Sequence, residues 1–116
     1  MKKNKFCIAN WKMYLNNTES INYINIFNNY NFDNDCKIVI CPSFTSLSDV
    51  GKLNCGNFSL GSQDISDYKK GAYTGQISLS MIENLNCSYT IVGHSEIRKY
   101  FNESDIIINK KISQIY

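Results

Sequence analysis

The chain has 116 residues, a net charge of +2 at pH 7, 43% hydrophobic residues and 19% charged residues, which suits one small domain over residues 1–116. No apolar run approaches the roughly 20 residues of a membrane-spanning helix, and no charged region followed by an apolar region opens the chain. We therefore expect a cytoplasmic protein with no membrane partner. The basic residues form no stripe with interleaved aromatic residues, so nucleic-acid binding is not expected either.

The cysteine pattern bears on metal binding and on redox compartment. There are five cysteines, an odd number, at positions 7, 36, 41, 55 and 87. No Cys-x-x-Cys motif occurs, and four of the five lie in or beside apolar runs. This pattern favours buried free thiols in a reducing compartment over a disulfide framework or a metal site.

Four short apolar runs predict four strands, at Lys5–Ala9, Lys37–Cys41, Phe58–Leu60 and Tyr89–Val92. The first two runs show no alternation of polar and apolar residues, which predicts strands that are covered on both faces. Pro42 is expected to end the second strand and Gly61 the third.

Helical spacing of apolar residues follows each strand. The first helix is predicted to begin near residues 16–18 and to break at residues 31–35, and the second to give way to a loop at residues 51–56. The last helix is predicted to run to the final residue with three isoleucines along one face. The expected caps of the later helices are Ser43, Ser78 and Ser104, and the expected apolar faces hold Leu47, Val50, Met81, Ile82, Leu85, Ile108, Ile112 and Ile115.

Strands and helices thus alternate four times, which predicts an α/β fold with a parallel sheet and right-handed crossovers. One connection, Gln63–Gln76, is longer than most loops in compact domains and contains Gly71 and Gly75. We expect this loop to have a function, although the two glycines could also serve only to make turns.

Polar residues cluster where the predicted strands end. At the end of the first strand lie Asn10 and Lys12, at the second Pro42-Ser43, at the third Gln63-Asp64, and at the fourth His94-Ser95-Glu96. Ligand sites of parallel sheets lie at the carboxyl ends of the strands. A lysine supplies a positive charge for an anionic substrate, and a histidine can donate a hydrogen bond to a carbonyl or oxyanion.

Each of these residues also has a structural interpretation. His94 could be a satisfied structural group near a helix start, and Lys12 could be a solvated surface lysine. Glu96 could pair with Lys99 within a helix, and Glu103 could cap a helix or interact with its dipole. The residue pattern leaves these alternatives open.

Three longer motifs together resemble the triosephosphate isomerase family. They are Asn10-Trp-Lys-Met13, Gly71-Ala-Tyr-Thr-Gly-Gln-Ile-Ser78, and Val92-Gly-His-Ser-Glu96 followed by Phe101-x-Glu-x-Asp105. The resemblance extends along the whole chain, and the Val92–Glu96 motif is its most specific part. A different phosphate-handling α/β barrel should lack that motif.

The resemblance implies a fold and a reaction. The family folds as a (β/α)₈ TIM barrel with parallel strands and outer helices, and interconverts dihydroxyacetone phosphate and glyceraldehyde 3-phosphate without a cofactor, in glycolysis and gluconeogenesis. By this resemblance Lys12 holds the substrate's negative charge, Asn10 lines the site and Glu96 orients Lys12. His94 is the electrophile, a neutral imidazole at a helix N-terminus, for which this family is itself the standard example. Ser95 begins the helix.

The resemblance also gives a role to the long loop. In the family this loop enters the active site of a neighbouring subunit and makes the enzyme a homodimer. Tyr73 and Thr74 would form its tip. The alternative is that the loop folds back on its own subunit.

The chain departs from the family pattern in length. A (β/α)₈ barrel takes about 250 residues, so the chain matches only the first four βα units. The family's glutamate base, its lid loop and the amides that bind phosphate lie beyond these units. We therefore expect an isolated chain that is inactive and prone to aggregate through exposed sheet edges.

Two smaller departures concern charge. The family usually has glutamate where Gln76 stands and arginine where Ile97 stands. Losing both leaves no unpaired charge, so the departure affects the expected strength of the dimer and not the chemistry.

A non-catalytic half-barrel that binds a partner supplying the missing half is the alternative to an isomerase.

Overall fold

The computed structural model describes residues 4–32 and 35–116. The elements are, in chain order, β1 (Lys5–Asn10), α1 (Asn17–Phe27), β2 (Cys36–Cys41), α2 (Phe44–Lys52), β3 (Ser59–Ser62), α3 (Leu79–Glu83), β4 (Tyr89–Thr90), α4 (Ser95–Phe101) and α5 (Asp105–Ile115). The predicted alternation of strands and helices is confirmed. The predicted break at residues 31–35 includes Asp33 and Asn34, which lie outside the described residues.

The four strands form one parallel sheet in the order β1-β2-β3-β4. In its register Asn10 lies beside Cys41, and Gly61 lies beside Tyr89. The sheet curls into a half-barrel with helices outside, and this confirms the predicted first βα units of a (β/α)₈ barrel. The parallel order brings the carboxyl ends of all four strands to one rim.

The hydrophobic core lies between the convex face of the sheet and the helices. Ile40 of β2 and Leu60 of β3 meet Ile24 of α1, and Leu47 and Val50 of α2 complete the contact; each of the five is at most 3% exposed. Burying such a side chain contributes about 1.5–3 kcal/mol. This layer holds the strand ends in place, and therefore also the rim that carries the polar residues.

The prediction that the first strand is covered on both faces is wrong. Phe6 is 50% exposed and Ile8 is 58% exposed. Phe6 and Ile8 are two residues apart, so both project from the same face of β1, and the described residues leave that face largely uncovered. In addition, β1 is an edge strand, since among the described residues it pairs only with β2.

Glycines account for two errors in the predicted boundaries. Gly61 does not end the third strand, since β3 continues to Ser62. A Cβ at Gly61 would lie 2.6 Å from the Sγ atom of Cys41, so the glycine allows close packing within the sheet. Gly51 lies inside α2, and a Cβ there would lie 3.1 Å from a methyl group of Leu60.

Smaller corrections concern caps and helix faces. Ser43 precedes α2, but its hydroxyl lies 2.7 Å from that of Thr45 and makes no cap hydrogen bond. The fourth strand is shorter than predicted and ends at Thr90. Three residues that were predicted to lie on apolar helix faces are exposed. They are Met81 of α3 and Ile112 and Ile115 of α5.

The cysteines are free thiols, as expected, but not all of them are buried. Cys41 and Cys87 are buried, whereas Cys7 and Cys55 are exposed. Cys7 is exposed because it lies on the edge strand β1. Burial raises the pKa of Cys41 to about 11, so this thiol stays protonated and unreactive at neutral pH.

No helix in the part of the chain that the structure describes is long and apolar enough to cross a membrane.

Candidate functional site

Four of the residues predicted from the sequence, Asn10, Lys12, His94 and Glu96, lie together at the rim of the sheet. A cavity of about 190 Å³ opens there. The last residue of β1 and the segments after β1, β3 and β4 supply its polar lining, and Phe44 and Ile97 supply an apolar part. The polar lining residues are Asn10, Lys12, Gln63, Asp64, His94 and Glu96.

Lys12 and Glu96 form an ion pair across the cavity. The Nζ atom of Lys12 donates to Oε1 of Glu96 at 2.7 Å, with both side chains less than half exposed. The hydrogen bond to Glu96 raises the pKa of Lys12, and the hydrogen bond from Lys12 lowers the pKa of Glu96. Glu96 is therefore engaged with Lys12, and the alternative pairing with Lys99 is not the one that the structure shows.

The backbone of Lys12 is held in an uncommon conformation. Its φ is 54°, in the left-handed region, which costs a non-glycine residue on the order of 1 kcal/mol or more. Two side chains offset this cost. Oδ1 of Asn10 accepts from the Lys12 amide at 3.0 Å, and Nε2 of Gln63 donates to the Lys12 carbonyl at 2.9 Å.

Gln63 has its predicted place at the rim, but the sequence did not reveal what it contacts. Its Nε2 also donates to the carbonyl of Cys41 at 3.1 Å, so one amide group just after β3 joins the segment after β1 to the end of β2. The only signal in the sequence was its position just after the third strand. No sequence pattern indicates a contact from a side-chain amide to the backbone carbonyl of another segment.

His94 precedes helix α4 as its N-cap. Its Nδ1 atom accepts a hydrogen bond from the amide of Glu96 at 3.1 Å. An imidazole nitrogen that accepts an amide hydrogen carries no proton, so in the neutral ring the proton is on Nε2. The geometry thus leaves Nε2–H as the donor. Ser95 is the exposed first residue of α4.

Glu103 does not cap a helix through its side chain. Its Oε2 atom accepts from Nζ of Lys111 at 2.7 Å, and Lys111 also contacts Asp64. Ser104 is the cap of α5, with its hydroxyl accepting from the amide of Ile107.

The predicted loop tip lies away from the cavity lining. Tyr73 and Thr74 are exposed and are not among the residues that line the site. Within the loop the ring of Tyr73 stacks on that of Tyr68 at 3.8 Å. Gly71 and Gly75 have φ values of 142° and 85°, which supports the interpretation of both as turn residues.

Metal binding has no support in the geometry. Among residues 4–32 and 35–116, no group of three or more His, Cys, Asp or Glu side chains could hold a metal ion.

Comparison with known proteins identifies relatives of the whole chain. A family model described as triosephosphate isomerase matches residues 5–116. Triosephosphate isomerase from Dictyoglomus turgidum is 45% identical over 116 residues, which cover 98% of this chain and 47% of the relative. The enzyme from Aquifex aeolicus is 46% identical over 106 residues (90% of this chain, 43% of the relative), and that from Clostridium perfringens is 39% identical over 109 residues (93% and 44%). The chain spans about half the length of the curated relatives it matches.

Proposed function

The chain belongs to the triosephosphate isomerase family, and on this premise we propose that its residues form the first half of an enzyme that interconverts dihydroxyacetone phosphate and D-glyceraldehyde 3-phosphate. The observation that carries the proposal is the arrangement of Lys12, Glu96 and His94 around one cavity at the rim of the half-barrel. The proposal includes the cytoplasm as location, the glycolytic and gluconeogenic pathways, and a reaction without a cofactor.

In the proposed reaction, Lys12 attracts the anionic substrate. Its hydrogen bond to Glu96 raises its pKa, so the side chain is cationic throughout the physiological pH range. Asn10 and Gln63 fix the backbone of Lys12, which determines where the ammonium group lies. A fixed charge stabilises charge that develops during the reaction better than a mobile one does.

His94 polarises the substrate carbonyl in this proposal. The amide of Glu96 occupies Nδ1, and the Nε2–H group donates to the carbonyl oxygen. As negative charge develops on that oxygen during proton removal, the hydrogen bond strengthens, which lowers the barrier. The neutral electrophilic imidazole is the role for which the family is the standard example.

The proton transfer itself needs a base that these residues do not provide. A general base must reach the carbon-bound proton. The two carboxylates in the cavity lining are both engaged by lysines, Glu96 by Lys12 and Asp64 by Lys111. Lys12 also lowers the pKa of Glu96, which makes its carboxylate a weaker base. We propose that the base belongs to the other half of the barrel.

An activity assay tests the proposal. The 116-residue chain and the full-length protein that contains it are purified and assayed for interconversion of the two triose phosphates. We expect activity from the full-length protein and none from the 116-residue chain. Activity of the 116-residue chain at the full-length level would show that the general base lies within it. An inactive full-length protein would refute the proposed isomerase activity.

A second candidate function is favoured by the open edge of β1. Phe6 and Ile8 are at least half exposed there, and a separate partner could cover them as well as a continuing chain could. The chain would then be a non-catalytic half-barrel. The intact mass of the native protein decides: a full barrel has about twice the 13.3 kDa of these residues.

We also propose that the complete enzyme is a homodimer through the loop at residues 63–76. Tyr73 and Thr74 at the exposed tip would enter the site of a second copy. Gln76 and Ile97 stand where a charged pair is usual in the family, so the contact would depend on packing. Sedimentation of the full-length protein at several concentrations tests this.

A further inference from the structure

A buried lysine lies behind the wall of the cavity. The side chain of Lys111, on α5, is 5% exposed, and its ammonium group lies between two carboxylates. It donates to Oδ1 and Oδ2 of Asp64 at 2.9 and 3.1 Å and to Oε2 of Glu103 at 2.7 Å. Burial alone would lower the pKa of Lys111, but the hydrogen bonds to Asp64 and Glu103 outweigh burial and raise it. The lysine is therefore a permanent cation.

Asp64 connects this cluster to the site. It lines the same cavity as Lys12 and His94, and both of its carboxylate oxygens accept from Lys111. An uncompensated carboxylate at this position would repel an anionic substrate, because charges within about 10 Å interact appreciably at physiological ionic strength.

The charges around the cavity show how much depends on Lys111. The net charge of the Lys12–Glu96 pair is zero, and the cluster that Lys111 forms with Asp64 and Glu103 has a net charge of −1. Glu103 is nine-tenths buried. Without the lysine, two negative charges would remain behind the place where the substrate binds.

We propose that Lys111 is a specificity-determining residue, which offsets the negative charge of Asp64 at the cavity wall and so allows an anionic substrate to bind. The inference rests on the proposed function, since it takes a phosphorylated triose as the substrate. Lys111 acts through Asp64 and does not touch the substrate.

A purely structural role for Lys111 predicts something different. If the lysine only ties α5 to the segment after β3, its loss shifts kinetic constants equally at low and high salt. A charge effect on an anionic ligand is screened by salt. The ionic-strength dependence therefore separates the two roles.

The test uses the full-length enzyme and its Lys111→Met variant. The KM for the triose phosphate and the inhibition constant of inorganic phosphate are measured at ionic strengths of about 0.01 M and about 1 M. We expect both constants to rise about 10-fold at the low ionic strength, with little change in kcat, and the difference to shrink at the high ionic strength. Lys110→Met is the matched control. It removes the same charge from an exposed neighbour on α5, and we expect both constants to stay unchanged.

A second variant gives the test an independent arm. Asp64→Asn removes the negative charge from the wall and keeps the contact between Lys111 and Glu103. We expect the inhibition constant of phosphate to fall several-fold at low ionic strength. This variant decides the matter if Lys111→Met does not fold, and an unchanged inhibition constant would then overturn the inference.

The inference is also overturned if folded Lys111→Met keeps the wild-type constants, or shifts them equally at both ionic strengths. Failure of the proposed function looks different. A wild-type enzyme without isomerase activity refutes both proposals, whereas an active wild type with unshifted variants refutes only this one.

Discussion

The ammonium group of Lys12 lies 2.7 Å from the carboxylate of Glu96, although 84 residues separate them along the chain. The pair joins the end of β1 to the start of α4 and thus spans the width of the half-barrel. Two parallel strands that end at one rim make this possible. The contact has a measurable consequence, because each partner shifts the pKa of the other.

The first prediction concerns the titration of Glu96. Its pKa is lowered from the ordinary value of 4.5, chiefly by the hydrogen bond from Lys12. A lowered folded-state pKa means that the pair's stabilisation is fully present above the unfolded-state pKa and is lost as the pH falls through the folded-state value. In Lys12→Met we expect the NMR titration midpoint of the Glu96 carboxyl carbon to rise towards 4.5.

The control for this titration is Lys52→Met. Lys52 lies 4.0 Å from Asp49 on the exposed surface of α2, so its loss should leave the midpoint of Glu96 unchanged. A Glu96 midpoint that does not move in Lys12→Met would show that the two side chains do not pair in solution.

The second prediction concerns the ring of His94. Because its Nδ1 accepts from the Glu96 amide at 3.1 Å, the neutral ring should carry its proton on Nε2. Nitrogen-15 chemical shifts at a pH where the ring is neutral distinguish the two tautomers. The assignment is direct, since His94 is the only histidine in the chain. A protonated Nδ1 would contradict the geometry and remove the donor that the proposed reaction uses.

The order of the elements could be predicted from the sequence because it depends on local signals. Apolar runs indicate the strands. Ser78 and Ser104 cap helices α3 and α5 as expected. Asn102 adopts a left-handed backbone with φ of 55°, consistent with its tolerance of that region. The placement of Asn10, Lys12, His94 and Glu96 at one rim follows from parallel strands.

What the sequence could not predict depends on tertiary contacts. The left-handed backbone of Lys12 is maintained by Gln63, which follows a different strand. The ion pairs of Lys111 with Asp64 and Glu103 join segments that carry no shared sequence pattern. The exposure of β1 was missed because an apolar run shows that a strand can be covered and not what covers it.

The third prediction concerns close packing at Gly61. An added Cβ would lie 2.6 Å from Sγ of Cys41 and 3.0 Å from a methyl group of Val39, and both of these residues are 1% exposed. We expect Gly61→Ala to lower the free energy of unfolding in urea by about 1–3 kcal/mol, the usual cost of overpacking.

A double-mutant cycle identifies the cause. Removing the sulfur with Cys41→Ala makes room for the new methyl group, so Gly61→Ala in that background should cost less than in the wild type. Equal costs in the two backgrounds would mean that the contact with Cys41 is not what opposes the alanine.

The fourth prediction concerns the exposed edge of β1. An edge strand with exposed apolar side chains offers the hydrogen-bonding groups of its open edge to other chains, and charged residues on an edge prevent such pairing. We therefore expect Ile8→Lys to reduce self-association of the purified 116-residue chain, as measured by light scattering over a range of concentrations.

Ile26→Lys is the matched control, because Ile26 is 61% exposed on α1 and Ile8 is 58% exposed on β1. The two substitutions add the same charge to equally exposed isoleucines, so only the edge strand distinguishes them. An equal reduction by both would mean that net charge governs association, and that the open edge of β1 is not the surface through which the chains meet.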